Sequence, residues 1–243
     1  MGVQKLYGWA LGLFFFSGLT GLVYEILWTR RLSLTFGHSL LAVSTVVTAY
    51  MGGLALGSWV AGRWADRRLM QGYPSAAFLR TYALLEMAIG IWGWLSLGLL
   101  KLVEMVYFGL AAQGWQGLPL HLVVFALSLL VLLPPTTAMG ATLPLLSCLF
   151  HGASDTLGVK LSRLYASNTA GAVCGVALAG FLWLPVLGLT RSVILAALCN
   201  LGIGAVGWAL SRPQSRQLAP EVDVKPVASS PGLLLPRSEE RGV

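Results

Sequence analysis

The sequence predicts an all-α integral membrane protein of six transmembrane helices, seven if one interrupted segment divides. Two observations predict it. Hydrophobic residues make up 56% of the 243-residue chain and charged residues 10%, with a mean hydropathy of +0.76. A soluble domain runs near a quarter charged and must wet most of its surface, so lipid is the solvent that suits this composition. The apolar residues are also gathered into runs near the ~20 residues that a helix needs to cross ~30 Å of hydrocarbon.

The runs follow in order over 6–28, 39–61, 81–100, 118–150, 161–186 and 192–210. The first has only Lys5 ahead of it and no small-x-small cleavage site after it, which marks a retained helix rather than a signal peptide. The third trails on as an amphipathic piece through Tyr107. The fourth is interrupted at Pro134, Pro135 and Pro144. It is either one kinked helix or a span plus a re-entrant piece, with Thr136, Thr137 and Thr142 as hydroxyls for the backbone groups that proline frees. Together these form a transmembrane domain over 1–210. From Ser211 the chain turns rich in Pro and Ser without helical period, and 211–243 reads as a disordered cytoplasmic tail.

Orientation comes from Lys and Arg. With the N-terminus inside, twelve of the sixteen basic residues fall on the inner side; Arg30, Arg31, Lys101 and Arg191 fall outside. Both termini are therefore expected in the cytoplasm. The same scatter through short loops excludes a nucleic-acid reading of the net charge of +7. Cys148, Cys174 and Cys199 lie in apolar stretches without metal spacing and read as small buried hydrophobes. Trp28, Trp59, Trp64, Trp115 and Trp183 fall near span ends, as an aromatic belt requires.

After the second run comes Gly62-Arg63-Trp64-Ala65-Asp66-Arg67-Arg68. Gly62, Asp66 and Arg67 match the G-x-x-x-D-R-x-G-R-R loop between the second and third helices of major facilitator transporters, which this stretch resembles; the later glycine is missing. A wider resemblance rests on four stretches: Phe16-Ser17-Gly18 with Val23 to Arg30, Met51 to Ser58, Leu133 to Pro144, and Arg163 to Ala172. In this order they resemble the membrane part of bacterial integral-membrane spermidine-synthase-like proteins, the fused major-facilitator/spermidine-synthase family, over about residues 10–210. The resemblance implies a bundle like half of a major facilitator in the bacterial inner membrane. In that family a soluble aminopropyltransferase-like domain follows. Here the sequence ends at Val243 with no G-x-G-x-x-G after a strand pattern. No catalytic residue carries over, and the expectation is an enzyme half that is absent or a separate chain.

Two helices carry small residues four apart, Gly53 and Gly57 in the second and Gly171 and Gly175 in the fifth. Such faces let backbones approach closely. Because the second and fifth helices of a major-facilitator half face the other half, they are expected to seek another membrane subunit or a second copy; packing inside the bundle is the alternative.

Ionisable groups inside a membrane point to function. Glu25 and Glu86 are the candidate intramembrane carboxylates, suited to a proton or an organic cation. The plainer alternative pairs Glu25 with Arg30 or Arg31, and Glu86 with Arg80 or Arg163, near the membrane surfaces. Asn168 and Asn200 complete the polar set as interhelical hydrogen-bonding groups. His38 and His121 fall at outer helix ends and are remote candidates for haem or quinone; otherwise no metal and no cofactor is indicated. The expected function is a non-catalytic membrane subunit that scaffolds or anchors a partner. Two alternatives stay open: a small dimeric carrier for polyamines or other cations, and the membrane half of a split aminopropyltransferase-like enzyme whose synthase-like chain is separate.

Overall fold

A computed structural model of the chain describes residues 3–37, 39–150 and 157–212. All of its regular structure is helical. The elements are α1 (Val3–Phe36), α2 (Ser39–Met70), α3 (Ser75–Ala112), α4 (Gly117–Cys148), α5 (Leu157–Ala177), a π-helical turn (Leu178–Trp183) and α6 (Leu184–Ser211). Five helical stretches among the described residues are long and apolar enough to cross a membrane, the fifth, Leu157–Ser211, taking in α5, the π-helical turn and α6. Large apolar side chains such as Phe181, Leu40 and Leu130 are more than two-thirds exposed on the outside, where lipid is the favourable neighbour.

Gly188 divides that last helix, with φ 73° and ψ 177°. The left-handed φ is open to glycine and strained for other residues. Just before it, Pro185 lacks the N–H that would bond the turn behind it, and the helix loosens into its π-helical turn. After it, the Ser192 hydroxyl donates to the Gly188 carbonyl at 2.6 Å. The chain reverses there. Gly171 and Gly175 of α5 meet Phe15 and Leu19 of α1 in parallel order. In α6, by contrast, Asn200 lies beside Gly90 and Gly204 beside Met87, antiparallel to α3.

Three closely packed pairs result: α1 with α5, α2 with α4, and α3 with α6. Their cores form two layers. One joins Tyr24, Leu27 and Trp28 to Leu100, Leu120 and Leu132; the other joins Leu13 and Phe14 to Phe78, Tyr82, Leu145 and Leu146.

The helices run longer than the apolar runs. α3 begins at Ser75, six residues before the expected start at Thr81, because Pro74 is extended and opens the helix ahead of the apolar stretch. The motif Gly62 to Arg68 is not a loop but the last turns of α2, since no breaker occurs until Gly72 (φ 71°). Asp66 and Arg67 are exposed there. Arg68 lies over the rings of Trp64 and Tyr73, at 5.6 and 5.1 Å.

The fourth segment is one helix with Pro134, Pro135 and Pro144 inside it. Pro135 has no N–H for the carbonyl of Val131, and Pro144 none for that of Gly140. Neighbouring helices supply the donors. Trp92 Nε1 of α3 donates to Val131 O at 2.9 Å, and Ser58 Oγ of α2 donates to Gly140 O at 2.9 Å. The Thr136 hydroxyl lies within reach of three further carbonyls: Leu132 at 2.8 Å, Leu133 at 3.0 Å and Ala49 of α2 at 3.1 Å.

The glycine stripes face inward. A Cβ on Gly53 would strike Thr136, one on Gly57 the Thr137 carbonyl, and ones on Gly171 and Gly175 the carbonyls of Phe15 and Leu19. The close approach expected toward a partner is thus made within the chain. Trp28 does not face outward but is fully buried, its Nε1 donating to Ser96 Oγ at 3.0 Å. Cys148 is buried as expected, but Cys174 is exposed on the outer face of α5. His38, His151 and the tail from residue 213 lie outside the described residues.

Two outcomes follow in detergent unfolding. Trp92→Phe should cost about 1 kcal/mol, as intramembrane hydrogen bonds typically do. Pro135→Ala should recover most of that loss by restoring an N–H for Val131; an undiminished loss in the double variant would show that the indole bond is not replacing the proline's missing donor. Gly171→Leu should unfold the monomer itself. A folded monomer that merely fails to self-associate would return this stripe to a partner face.

Candidate functional site

The cleft between α1, α2, α4 and α5 holds a half-enclosed cavity of about 320 Å³. Helical spacing builds its walls. Ser17, Gly21 and Glu25 lie four apart along α1, and Tyr50, Leu54 and Ser58 four apart along α2, so each set shares one face. Thr142 of α4 and Tyr165 and Asn168 of α5 close the remaining sides. Asn168 lies against Gly18, where a Cβ would strike its backbone and side-chain oxygens.

Glu25 is the acid in this lining and is half-buried. Its expected partner Arg31 is taken by Glu104 of α3, in the ion pair found among the described residues. The reason is position: Arg31 is six residues, well over a turn and a half, beyond Glu25 on α1, and it faces α3 rather than the cleft. Glu25 therefore has no ion pair among the described residues and lines the cavity with Tyr50 near it, while Tyr165 of α5 lines the same cavity farther along α1. A carboxylate, aromatic faces, hydroxyls and an amide suit an organic ammonium group, through charge, cation–π contact and hydrogen bonds. No group of three His, Cys, Asp or Glu side chains among the described residues could hold a metal ion.

Glu86 lies elsewhere. It is fully buried between α3, α6 and α1 and accepts a hydrogen bond from Asn200 Nδ2 at 2.7 Å. It stands eleven residues into α3, about 17 Å along its axis, and so is well inside the bundle rather than near its end. Neither Arg80 nor Arg163 makes an ion pair with it: Arg80 bonds the Ser211 hydroxyl instead, at 3.4 Å. The structure thus joins Glu86 with Asn200 by a hydrogen bond, while Glu25 and Asn168 line one cavity without a bond between them. Ser17 links the two, lining the cavity and standing against Glu86. His121 sits at the start of α4 against the ring of Phe36, with centroids 6.4 Å apart.

Sequence reasoning missed Ser17, Tyr50 and Tyr165 as site residues, along with Tyr24 and Tyr82 near Glu86. The available signal was the four-residue spacing of polar and small residues in otherwise apolar helices.

Fold and cavity define an all-α protein, its helices compatible with insertion into a membrane, that presents a carboxylate in an internal cleft. No family model matches the chain, and no solved structure does. Among curated proteins it is similar to polyamine aminopropyltransferases. Polyamine aminopropyltransferase 2 of Ralstonia nicotianae is 28% identical over 190 residues, covering 78% of this chain and 32% of the relative. Polyamine aminopropyltransferase 2 of Streptomyces coelicolor is 30% identical over 192 residues, covering 79% and 32%. Polyamine aminopropyltransferase of Leptospira interrogans is 25% identical over 199 residues, covering 81% and 34%. The chain spans about a third of the length of these relatives.

Arg31 and Glu104 are each over a quarter exposed, so their pair is worth at most about 1 kcal/mol. Glu104→Gln should lower the unfolding free energy by no more than that in low salt and by less in high salt. A larger, salt-independent loss would mean the pair is desolvated in the native membrane.

Proposed function

We propose that this chain is the membrane-embedded part of a polyamine aminopropyltransferase-like system, and that the Glu25 cleft binds the amine. Aminopropyl transfer itself belongs, in this reading, to a soluble portion outside the residues described. The bundle crosses the bacterial inner membrane six times, the reversal at Gly188 separating the last two crossings. It has the helix count of half a major facilitator and keeps both termini in the cytoplasm.

The observation that carries this reading is the reach of the similarity. Three relatives named for aminopropyl transfer align with about four-fifths of this chain but only a third of themselves. The activity in their names is consistent with the split-enzyme reading and lends the scaffold no support. The scaffold has also lost one support, because the glycine stripes are occupied within the chain. A second reading, a carrier for polyamines, is favoured by the unpaired Glu25 carboxylate in its cleft.

The test combines native mass spectrometry of the protein released from its own membrane with binding of labelled putrescine and spermidine to the purified chain. Co-release with an aminopropyltransferase-like chain, or continuity with such a domain, is expected, together with polyamine binding weakened at least tenfold by Glu25→Gln. A lone chain or homodimer that binds polyamine and moves it across proteoliposomes would favour the carrier. A chain that binds no polyamine would overturn the amine site.

A further inference from the structure

Between α1, α3 and α6, at a place the cleft does not occupy, four buried polar atoms lack a hydrogen-bond partner: Glu86 Oε1, Asn200 Oδ1 and the hydroxyls of Tyr24 and Tyr82. Glu86 is fully buried and Asn200 is 1% exposed. Their one recorded bond runs from Asn200 Nδ2 to Glu86 Oε2 at 2.7 Å. The hydroxyls of Ser17 and Tyr82 also approach the Glu86 carboxyl, but none of these groups reaches Asn200 Oδ1, an acceptor left without a donor among the described residues.

An ionised carboxylate in this setting would be a buried charge with no ion pair among the described residues, a costly arrangement in an apolar interior. The titratable groups facing it do not remove that cost. From α1 comes Tyr24, with the Ser17 hydroxyl; from α3, Tyr82; from α6, Cys199 beside Asn200. None of these is cationic. One proton resolves both vacancies. On Glu86 Oε1 it turns an acceptor into a donor, and the O–H can serve Asn200 Oδ1. Acid and amide then close a ring of two hydrogen bonds, N–H to Oε2 and O–H to Oδ1. Reversing the amide gives the same requirement, since Oδ1 would then stand 2.7 Å from Oε2 and two oxygens at that distance need a proton between them.

We propose that the Glu86–Asn200 pair is a proton-binding site inside the helix bundle, loaded as a neutral acid–amide pair and reached from the cleft through Ser17. Loading forms one O–H bond on Glu86, with the proton taken from water in the cleft; unloading returns it along the same path. Ser17 is placed to relay it, because its residue lines the cleft while its hydroxyl lies against the Glu86 carboxyl. The proposal does not depend on the polyamine reading: the proton site can be present whether or not Glu25 binds an amine.

Infrared spectroscopy of the full chain in detergent at neutral pH tests it, in H2O and in D2O. The expected result is the carbonyl stretch of a protonated carboxyl, shifted down in D2O. It should be lost in Glu86→Gln and kept in Glu25→Gln. Asn200→Leu should move the band to higher frequency, as the acid loses its amide partner. Ser17→Ala should slow its shift on transfer to D2O at least several-fold. Glu86→Gln should fold normally, because a second amide reproduces both bonds of the ring. If that variant does not fold, the band's response to Asn200→Leu decides alone. Absence of a protonated-carboxyl band in the folded wild-type chain, or a band indifferent to both Glu86→Gln and Asn200→Leu, would overturn the proposal.

Discussion

In an apolar bundle a polar group without a partner is costly, and α4 has created such groups in its own backbone. Pro135 and Pro144 remove the donors for Val131 and Gly140. The Trp92 indole and the Ser58 hydroxyl replace them. These two bonds fix α4 against α3 on one side and α2 on the other. They set the register in which Thr136 meets the Ala49 carbonyl and Gly53. The same register brings Thr142 to the cleft. A helix that can stay whole only with donors from its neighbours ties the bundle together through its weakest points.

Close backbone approach is the second device. Gly53 and Gly57 let α2 lie on α4, and Gly171 and Gly175 let α5 lie on α1. With each pair pressed together, the cleft between them stays open as a cavity of about 320 Å³. The glycines thus hold the walls without lining the site themselves. Their use inside the chain also explains why the reading of a partner face fails: a stripe of small residues shows that a helix is approached, not by what.

Glu25 and Glu86 have different surroundings. Glu25 lines a cleft with hydroxyls and the ring of Tyr50 and has no ion pair among the described residues; in the proposed reading it takes the charge of the amine. Glu86 is fully buried beside Asn200, Tyr24 and Tyr82, the surroundings proposed to hold a proton. Ser17 stands between them. A cation-binding cleft beside a proton-binding pair, as proposed, is an arrangement that a bare scaffold does not call for.

The sequence by itself determined the class of structure. A chain this apolar, with runs of bilayer length, leaves helices as the structure that satisfies its backbone in lipid. Its four motif stretches, in order, pointed to spermidine-synthase-like proteins, and the similarity to polyamine aminopropyltransferases agrees with them. Helix ends were less legible, because charged turns such as Gly62 to Arg68 continue a helix once nothing breaks it. Only the tertiary structure decided the pairings. Arg31 chose Glu104 over Glu25, Trp28 turned inward to Ser96, and Glu86 met Asn200 across 114 positions of sequence. Each choice depends on which face of a long helix its neighbour covers. Hydrophobicity that is nearly uniform around the helix carries no record of that face.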